Sequence, residues 1–180
     1  MEADRATRTR VLEMVPQQYP FRFIDDILEL DEGHIVGRYR FREDEYFYQG
    51  HFPGLPITPG VILVETMAQT GVVAFGLYLT LLADKNGGRI DDLVTLFTLA
   101  EKVEFDGIVL PGDEVVITGK KLYFRGNQLK VEVSMARPGG EGVCSGILAG
   151  RGIERARFAG QMVRNTAPVA ASREKEDKDA

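Results

Sequence analysis

One stretch constrains this chain more than any other. From Gly60 to Leu82 it reads GVILVETMAQTGVVAFGLYLTLL, apolar on every side of a helix and carrying one charge, Glu65. A segment of that length and character either spans a bilayer or lies buried inside a protein. Glu65, Thr66, Gln69 and Thr70 put polar groups into its first half, and the chain has no second segment like it. These features favour a buried helix over a membrane span. Thr58 is placed to cap it, Pro59 suits the first helical position, and Asn86-Gly87-Gly88 stops it. A helix apolar all round needs other structure wrapped around it.

The rest of the chain offers that wrapping as β-strands. Phe21–Leu30 reads as a strand, Asp31-Glu32-Gly33 as a turn, and Ile35–Phe41 as the returning strand of a hairpin. Beyond Asp92 four more strand-like runs follow: Val94–Phe105, Glu114–Phe124, Gln128–Ala136 and Gly142–Ala149. Gly, Pro and Asn separate them where tight turns need them, and the KVEVSM run alternates with period two. A short helix over Thr7–Met14 precedes them all. Short links between consecutive strands predict an antiparallel sheet of about six strands in consecutive hairpins, closed around the long helix. This is an α+β layout.

A chain of 180 residues that is 44% hydrophobic holds one core without help from metal or disulfide. One cysteine, Cys144, excludes an internal disulfide framework and a Cys-based zinc site; two histidines, His34 and His51, argue against a His-rich metal centre. A net charge of −5 argues against a whole-surface nucleic-acid binder. No secretory leader is read at the N-terminus, so the cytoplasm is the expected location. The expected domain covers residues 1–164, with a core over about 10–150; residues 165–180 read as a polar, disordered tail.

The chemistry concentrates in Gln49-Gly50-His51-Phe52-Pro53-Gly54-Leu55-Pro56-Ile57-Thr58-Pro59-Gly60 and the helix behind it. His51 sits in a rigid loop and is suited to moving a proton near neutral pH. Glu65 follows four apolar residues, surroundings that push a carboxyl towards its neutral, proton-donating form. Gln69 lies one turn further along the same face. Gly60 offers a free backbone N–H at the positive end of the helix, aimed where an oxyanion could sit. Plainer roles stand beside these: a structural loop histidine, a buried partner for an arginine, a glycine needed for packing. His34 reads as a solvated strand-start residue, Cys144 as a small strand hydrophobe, Tyr46-Phe47-Tyr48 as packing, and Lys120, Lys121 and Arg125 as a solvated strand face.

These motifs resemble the β-hydroxyacyl-(acyl carrier protein) dehydratases, the FabA/FabZ type. The similarity runs from Val15-Pro16-Gln17-Gln18-Tyr19-Pro20-Phe21 to about Ala149. It is most specific at QGHFPG (Gln49 to Gly54), Pro59-Gly60-Val61 and Glu65-Thr66-Met67-Ala68-Gln69; Glu104-Phe105 and Leu110-Pro111-Gly112-Asp113 match a later strand-turn. The resemblance implies the hot-dog fold, His51 and Glu65 as catalytic residues, Gly60 as holder of the thioester oxygen, and Gln69 as a supporting residue. Glu65, where the FabA branch has Asp, implies the FabZ branch. Gln17 and Gln18 stand where the family has His and Arg, and Ile24-Asp25-Asp26 replaces its VDR.

The implied reaction is reversible loss of water from a 3-hydroxyacyl thioester on acyl carrier protein, with no metal or organic cofactor. His51 removes the proton beside the carbonyl, and either Glu65 or His51 itself protonates the departing hydroxyl. The implied assembly is a homodimer or a trimer of dimers, with His51 of one chain facing Glu65 of another. A hot-dog thioesterase, a hydratase, a non-enzymatic acyl-binding subunit and a specialised polyketide or aryl-polyene dehydratase stand as alternatives. The carrier is acidic, so a basic patch must receive it; Arg151, Arg155, Arg157 and Arg164, opposed by Glu154, are the candidates.

Overall fold

Alternation sets the sheet. The structure, a computed structural model, describes residues 1–83, 93–154 and 156. In strand β5 (Gln128–Ala136) Leu129, Val131, Val133 and Met135 are buried, and the residues between them face outwards. The other strands are β1 (Asp26–Leu30), β2 (His34–Arg40), β3 (Leu93–Phe105), β4 (Glu114–Arg125) and β6 (Gly142–Glu154). All neighbours pair antiparallel, in the order β1-β2-β4-β5-β6-β3. The α+β architecture and the count of six strands agree with the sequence reading.

The consecutive-hairpin expectation fails at β3. That strand pairs with β6 at the far edge rather than with β2 or β4. The long helix lies between β2 and β3 in the chain and crosses the inner face of the sheet, so the strand that follows it is delivered to the opposite side. The expected strand Phe21–Leu30 is also shortened. Pairing begins only at Asp26, because the backbone at Phe21 and Phe23 is held by a side chain of the helix instead.

Helix α1 (Arg5–Met14) starts at Asp4, whose carboxylate accepts from the Thr7 N–H at 2.8 Å. It packs on β1 and closes one end of the core. Helix α2 (Gly60–Ala83) is the buried core helix; among the described residues it is the one helix long and apolar enough to cross a membrane, and most of it is enclosed by the fold. Leu63, Met67, Val72, Phe75 and Leu77 are nearly or fully buried. Each such burial contributes about 1.5–3 kcal/mol.

The start of α2 lies one residue later than expected. Pro59 occupies the cap position and Gly60 is the first helical residue. Thr58 makes no capping bond, because its hydroxyl bonds Tyr48 instead. Midway, Gln69–Ala74 widens into a π-helical turn. A β-carbon added at Gly71 would come 2.8 Å from Val133, and one at Gly150 on β6 would come 2.5 Å from Val72. The widened turn therefore presses against the sheet more closely than side chains allow, and such turns often mark functional sites.

The Asn86-Gly87-Gly88 stop, Arg155, Arg157, Arg164 and the tail 165–180 lie outside the described residues. Cys144 is buried in β6, as expected. Lys120 and Arg125 are exposed and Lys121 is half-buried. His34 begins β2 and is half-buried, but it is also bridged between Glu29 and Asp31, which the sequence did not indicate.

Candidate active site

The His51 loop hangs from a short 3-10 turn, Tyr46–Gln49. That turn is seated by Phe47, whose ring packs edge-on against Phe23, Phe41, Tyr46 and Tyr48. It is fixed further by buried Glu45, which accepts from the Tyr39 hydroxyl and from the Arg42 N–H. The expected packing role of Tyr46-Phe47-Tyr48 is met by Phe47 and Tyr48, while Tyr46 is 45% exposed. Gly50 and His51 both donate their backbone N–H to the Phe47 carbonyl, which carries the chain into the loop. The His51–Phe52 peptide is cis, and the two rings stack with centroids 4.1 Å apart.

The imidazole of His51 is half-buried, and its Nδ1 lies 3.1 Å from the Ile57 carbonyl oxygen. A carbonyl oxygen can only accept, so Nδ1 carries the hydrogen and donates it. The neutral ring then leaves Nε2 with a lone pair, the state required of a proton acceptor.

Glu65 lies on the first part of α2 and is half-buried. Burial pushes its carboxyl above the ordinary range; a hydrogen bond from Gln69 opposes that shift without cancelling it. Gln69 is fully buried and uses its whole amide. Its Oε1 accepts from the Phe23 N–H at 2.7 Å, which forces Nε2 the other way. Nε2 donates to the Phe21 carbonyl and to Glu65 Oε1, each at 2.9 Å. One side chain thus ties the segment before β1 to the helix and fixes the acid. A backbone accepting and donating through Gln69 also explains why Phe21–Phe23 is not a strand.

Gly60 opens α2, with Ile62 and Leu63 donating to the Pro59 carbonyl behind it. Among the described residues no acceptor within the chain takes the Gly60 N–H. The Phe105 ring crowds any side chain here: a β-carbon would lie 3.0 Å from its Cε1, so the ring would have to give by a few tenths of an ångström.

Gly60 and Glu65 lie in the first part of α2, Gln69 one turn beyond Glu65 at the π-turn, and His51 in the loop that leads into the helix. The structure joins Gln69 to Glu65 and leaves His51 bonded to Ile57; among the described residues no hydrogen bond links His51 with Glu65 in one chain. Among the described residues, no cluster of three or more His, Cys, Asp or Glu could hold a metal. Sequence reasoning missed the backbone of Phe21 and Phe23, the Phe105 ring over Gly60, and the Tyr48–Thr58 bond. The first had a signal in Gln69, an amide that a buried helix must satisfy; the other two leave no local signal.

Comparison with known proteins bears on the family and the fold. A family model described as FabA-like domain matches residues 15–137. A curated 3-hydroxyacyl-(acyl-carrier-protein) dehydratase FabZ from Caldicellulosiruptor bescii is 38% identical over 140 residues, 77% of this chain and 93% of the relative. Another, from Syntrophobacter fumaroxidans, is 42% identical over 123 residues, 68% of this chain and 78% of the relative. Among solved structures, the dehydratase heterocomplex ApeI:P from Xenorhabdus doucetiae aligns with a TM-score of 0.66 at 14% identity, covering 84% of this chain and 96% of that one. The fluoroacetyl-CoA thioesterase FlK aligns with a TM-score of 0.57 at 17% identity, covering 77% of this chain and 98% of that one. These two likenesses establish the hot-dog fold and nothing finer. The sequence relatives go further: the chain belongs to the FabA-like domain family, on its FabZ side.

Proposed function

We propose that this chain is a 3-hydroxyacyl-(acyl carrier protein) dehydratase, converting (3R)-3-hydroxyacyl thioesters reversibly to trans-2-enoyl thioesters in fatty-acid synthesis or a related lipid or polyketide pathway. The observation that carries the reading is Glu65, an acid on a buried apolar helix whose carboxyl burial pushes above the ordinary range and whose Oε1 is held by Gln69 at 2.9 Å. The thioester oxygen rests on the Gly60 N–H at the positive end of α2, which acidifies the C2–H bond. His51 Nε2 takes that proton, and the electron pair forms the C2–C3 double bond. The C3–O bond breaks, and Glu65 gives its proton to the departing hydroxyl, releasing water. Proton return from His51 to Glu65 resets the pair.

His51→Ala and Glu65→Gln test the assignment separately with a carrier-bound 3-hydroxyacyl substrate, followed by enoyl absorbance. Each is expected to lose at least a hundredfold in kcat, the scale of general acid–base catalysis. Near-normal dehydration by either variant overturns it. A thioesterase reading rests on the fold-level likeness alone.

The working unit in this proposal is a homodimer or a trimer of dimers. Strand β3 is a sheet edge, and Leu96, Phe97 and Phe105 on it are 38%, 46% and 54% exposed. An exposed apolar edge favours pairing with a second copy. That copy supplies the His51 that Glu65 lacks in its own chain. A monomer by light scattering at assay concentration refutes this assembly.

A further inference from the structure

The loop that carries His51 has little inward packing, and besides the Phe52–Leu55 pair its internal bond runs from the Ile57 N–H to the His51 carbonyl at 3.1 Å. Phe52 and Leu55 are 50% and 66% exposed, and they bond mainly each other's backbone. Gly50, Pro53, Gly54 and Pro56 contribute no side chain that packs inward. The shape of such a loop is set at its two ends.

Those ends are joined. Tyr48 at the start and Thr58 at the finish are 7% and 6% exposed, and their hydroxyl oxygens lie 2.6 Å apart. The peptide unit between Ile57 and Thr58 is the hinge of the arrangement. Its N–H, on Thr58, donates to the Val109 carbonyl at 2.8 Å. Its carbonyl, on Ile57, accepts from His51 Nδ1. A peptide unit is planar with N–H and C=O pointing opposite ways, so fixing one side aims the other. Whatever holds Thr58 therefore aims the Ile57 carbonyl at the imidazole.

We propose that the Tyr48–Thr58 hydrogen bond is a clasp that keeps His51 in its Nδ1–H form with Nε2 open, which makes Tyr48 and Thr58 positioning residues. The inference rests on the reading of His51 as proton acceptor. Burial pushes the Tyr48 hydroxyl up to about 12, so the clasp stays neutral and bonded across the working pH range. A phenyl ring and a valine at these positions would fill nearly the same volume, so the hydroxyl pair adds a bond rather than bulk.

The test compares Tyr48→Phe, Thr58→Val and the double variant. The chain has two histidines, so 15N-histidine labelling gives two imidazoles, and His51→Ala identifies which is which. At about pH 8 the 15N shifts of His51 report its tautomer. The wild type should show Nδ1 protonated. Each single variant and the double should show a mixed tautomer, with kcat down about three- to tenfold and KM within about twofold. The double should match the singles in kcat, because both remove one bond. Its thermal stability should recover towards wild type, because no buried hydroxyl is then left unpaired. A merely structural pair would let kcat and tautomer recover together with stability. An unchanged His51 tautomer and kcat in the double variant overturns the clasp. If His51→Ala keeps its activity, the proton-acceptor reading falls instead, and the tautomer measurement still decides whether the clasp exists.

Discussion

Replacing Gln69 with Met tests the link between fold and chemistry at one atom group. Met keeps the length and volume of the side chain and removes its amide. The Phe23 N–H then loses its acceptor in a place where Phe23 is fully buried. An unpaired buried donor costs about 1–3 kcal/mol. The Phe21 carbonyl is cheaper to release, because Phe21 is 44% exposed and water can reach it. Apolar burial of the Met side chain recovers part of the loss, leaving a net destabilisation of about 2 kcal/mol. At this chain length that corresponds to a drop of about 4–8 °C in Tm. The second consequence concerns Glu65. The Gln69 bond is what opposes the burial shift on that carboxyl, so removing it raises the pKa further. If Glu65 must be protonated to donate, the alkaline limb of the kcat profile moves to higher pH in Gln69→Met, while kcat itself falls because the carboxyl is no longer aimed. Calorimetry and a pH–rate profile on the same preparation check both. A Tm within about 1 °C of wild type, or an alkaline limb that stays in place or moves down, refutes the reasoning.

Gly150→Ala drives a methyl to 2.5 Å from Val72 and 3.0 Å from the Leu96 carbonyl oxygen, which is backbone and cannot yield; a loss of about 2–3 kcal/mol is expected in urea unfolding. Gly139→Ala, with nothing within 4 Å, should stay within about 0.5 kcal/mol. Equal stabilities for the two would show that the π-turn does not press on the sheet. His34→Gln concerns pH. The imidazole is raised first by its bond to Glu29, with Asp31 adding to it, against some burial. A raised pKa means stability that is fully present below the ordinary histidine value and lost as pH rises through the folded one. Wild type should therefore lose a few tenths of a kcal/mol across that range, discounted because the ring is 35% exposed, and the variant should not. Parallel stability–pH curves for the two proteins would remove the bridge from consideration.

Much of this site was legible in one dimension because its signals are local. The expense of an acid among Val61, Ile62, Leu63 and Val64 is a property of neighbours in sequence, and the structure places Glu65 half-buried with a raised carboxyl. Gln69 one turn away follows from helical geometry, and the 2.9 Å bond to Glu65 is that geometry realised. Strand β5 was legible to the residue because its alternation is strict and its flanking turns are explicit. The errors fall where a distant partner competes. Thr58 has the chemistry of a helix cap, but the Tyr48 hydroxyl takes it, and Pro59 becomes the cap position. Phe21–Phe23 has the composition of a strand, but Gln69 captures its backbone before a neighbouring strand can.

The sequence by itself determined that the Gly60–Leu82 stretch is a helix needing enclosure, that about six strands are available to enclose it, and that an imidazole, an acid and a free N–H gather near its start. These follow from periodicity, turn chemistry and the cost of burying charge, all of which act over a few residues. Tertiary structure alone decided that β3 lies on the far edge beside β6, that the helix widens at Gln69–Ala74 where glycines bring the sheet close, and that Phe105 covers Gly60. Each of these depends on which distant groups meet once the core closes, and no local pattern carries that information.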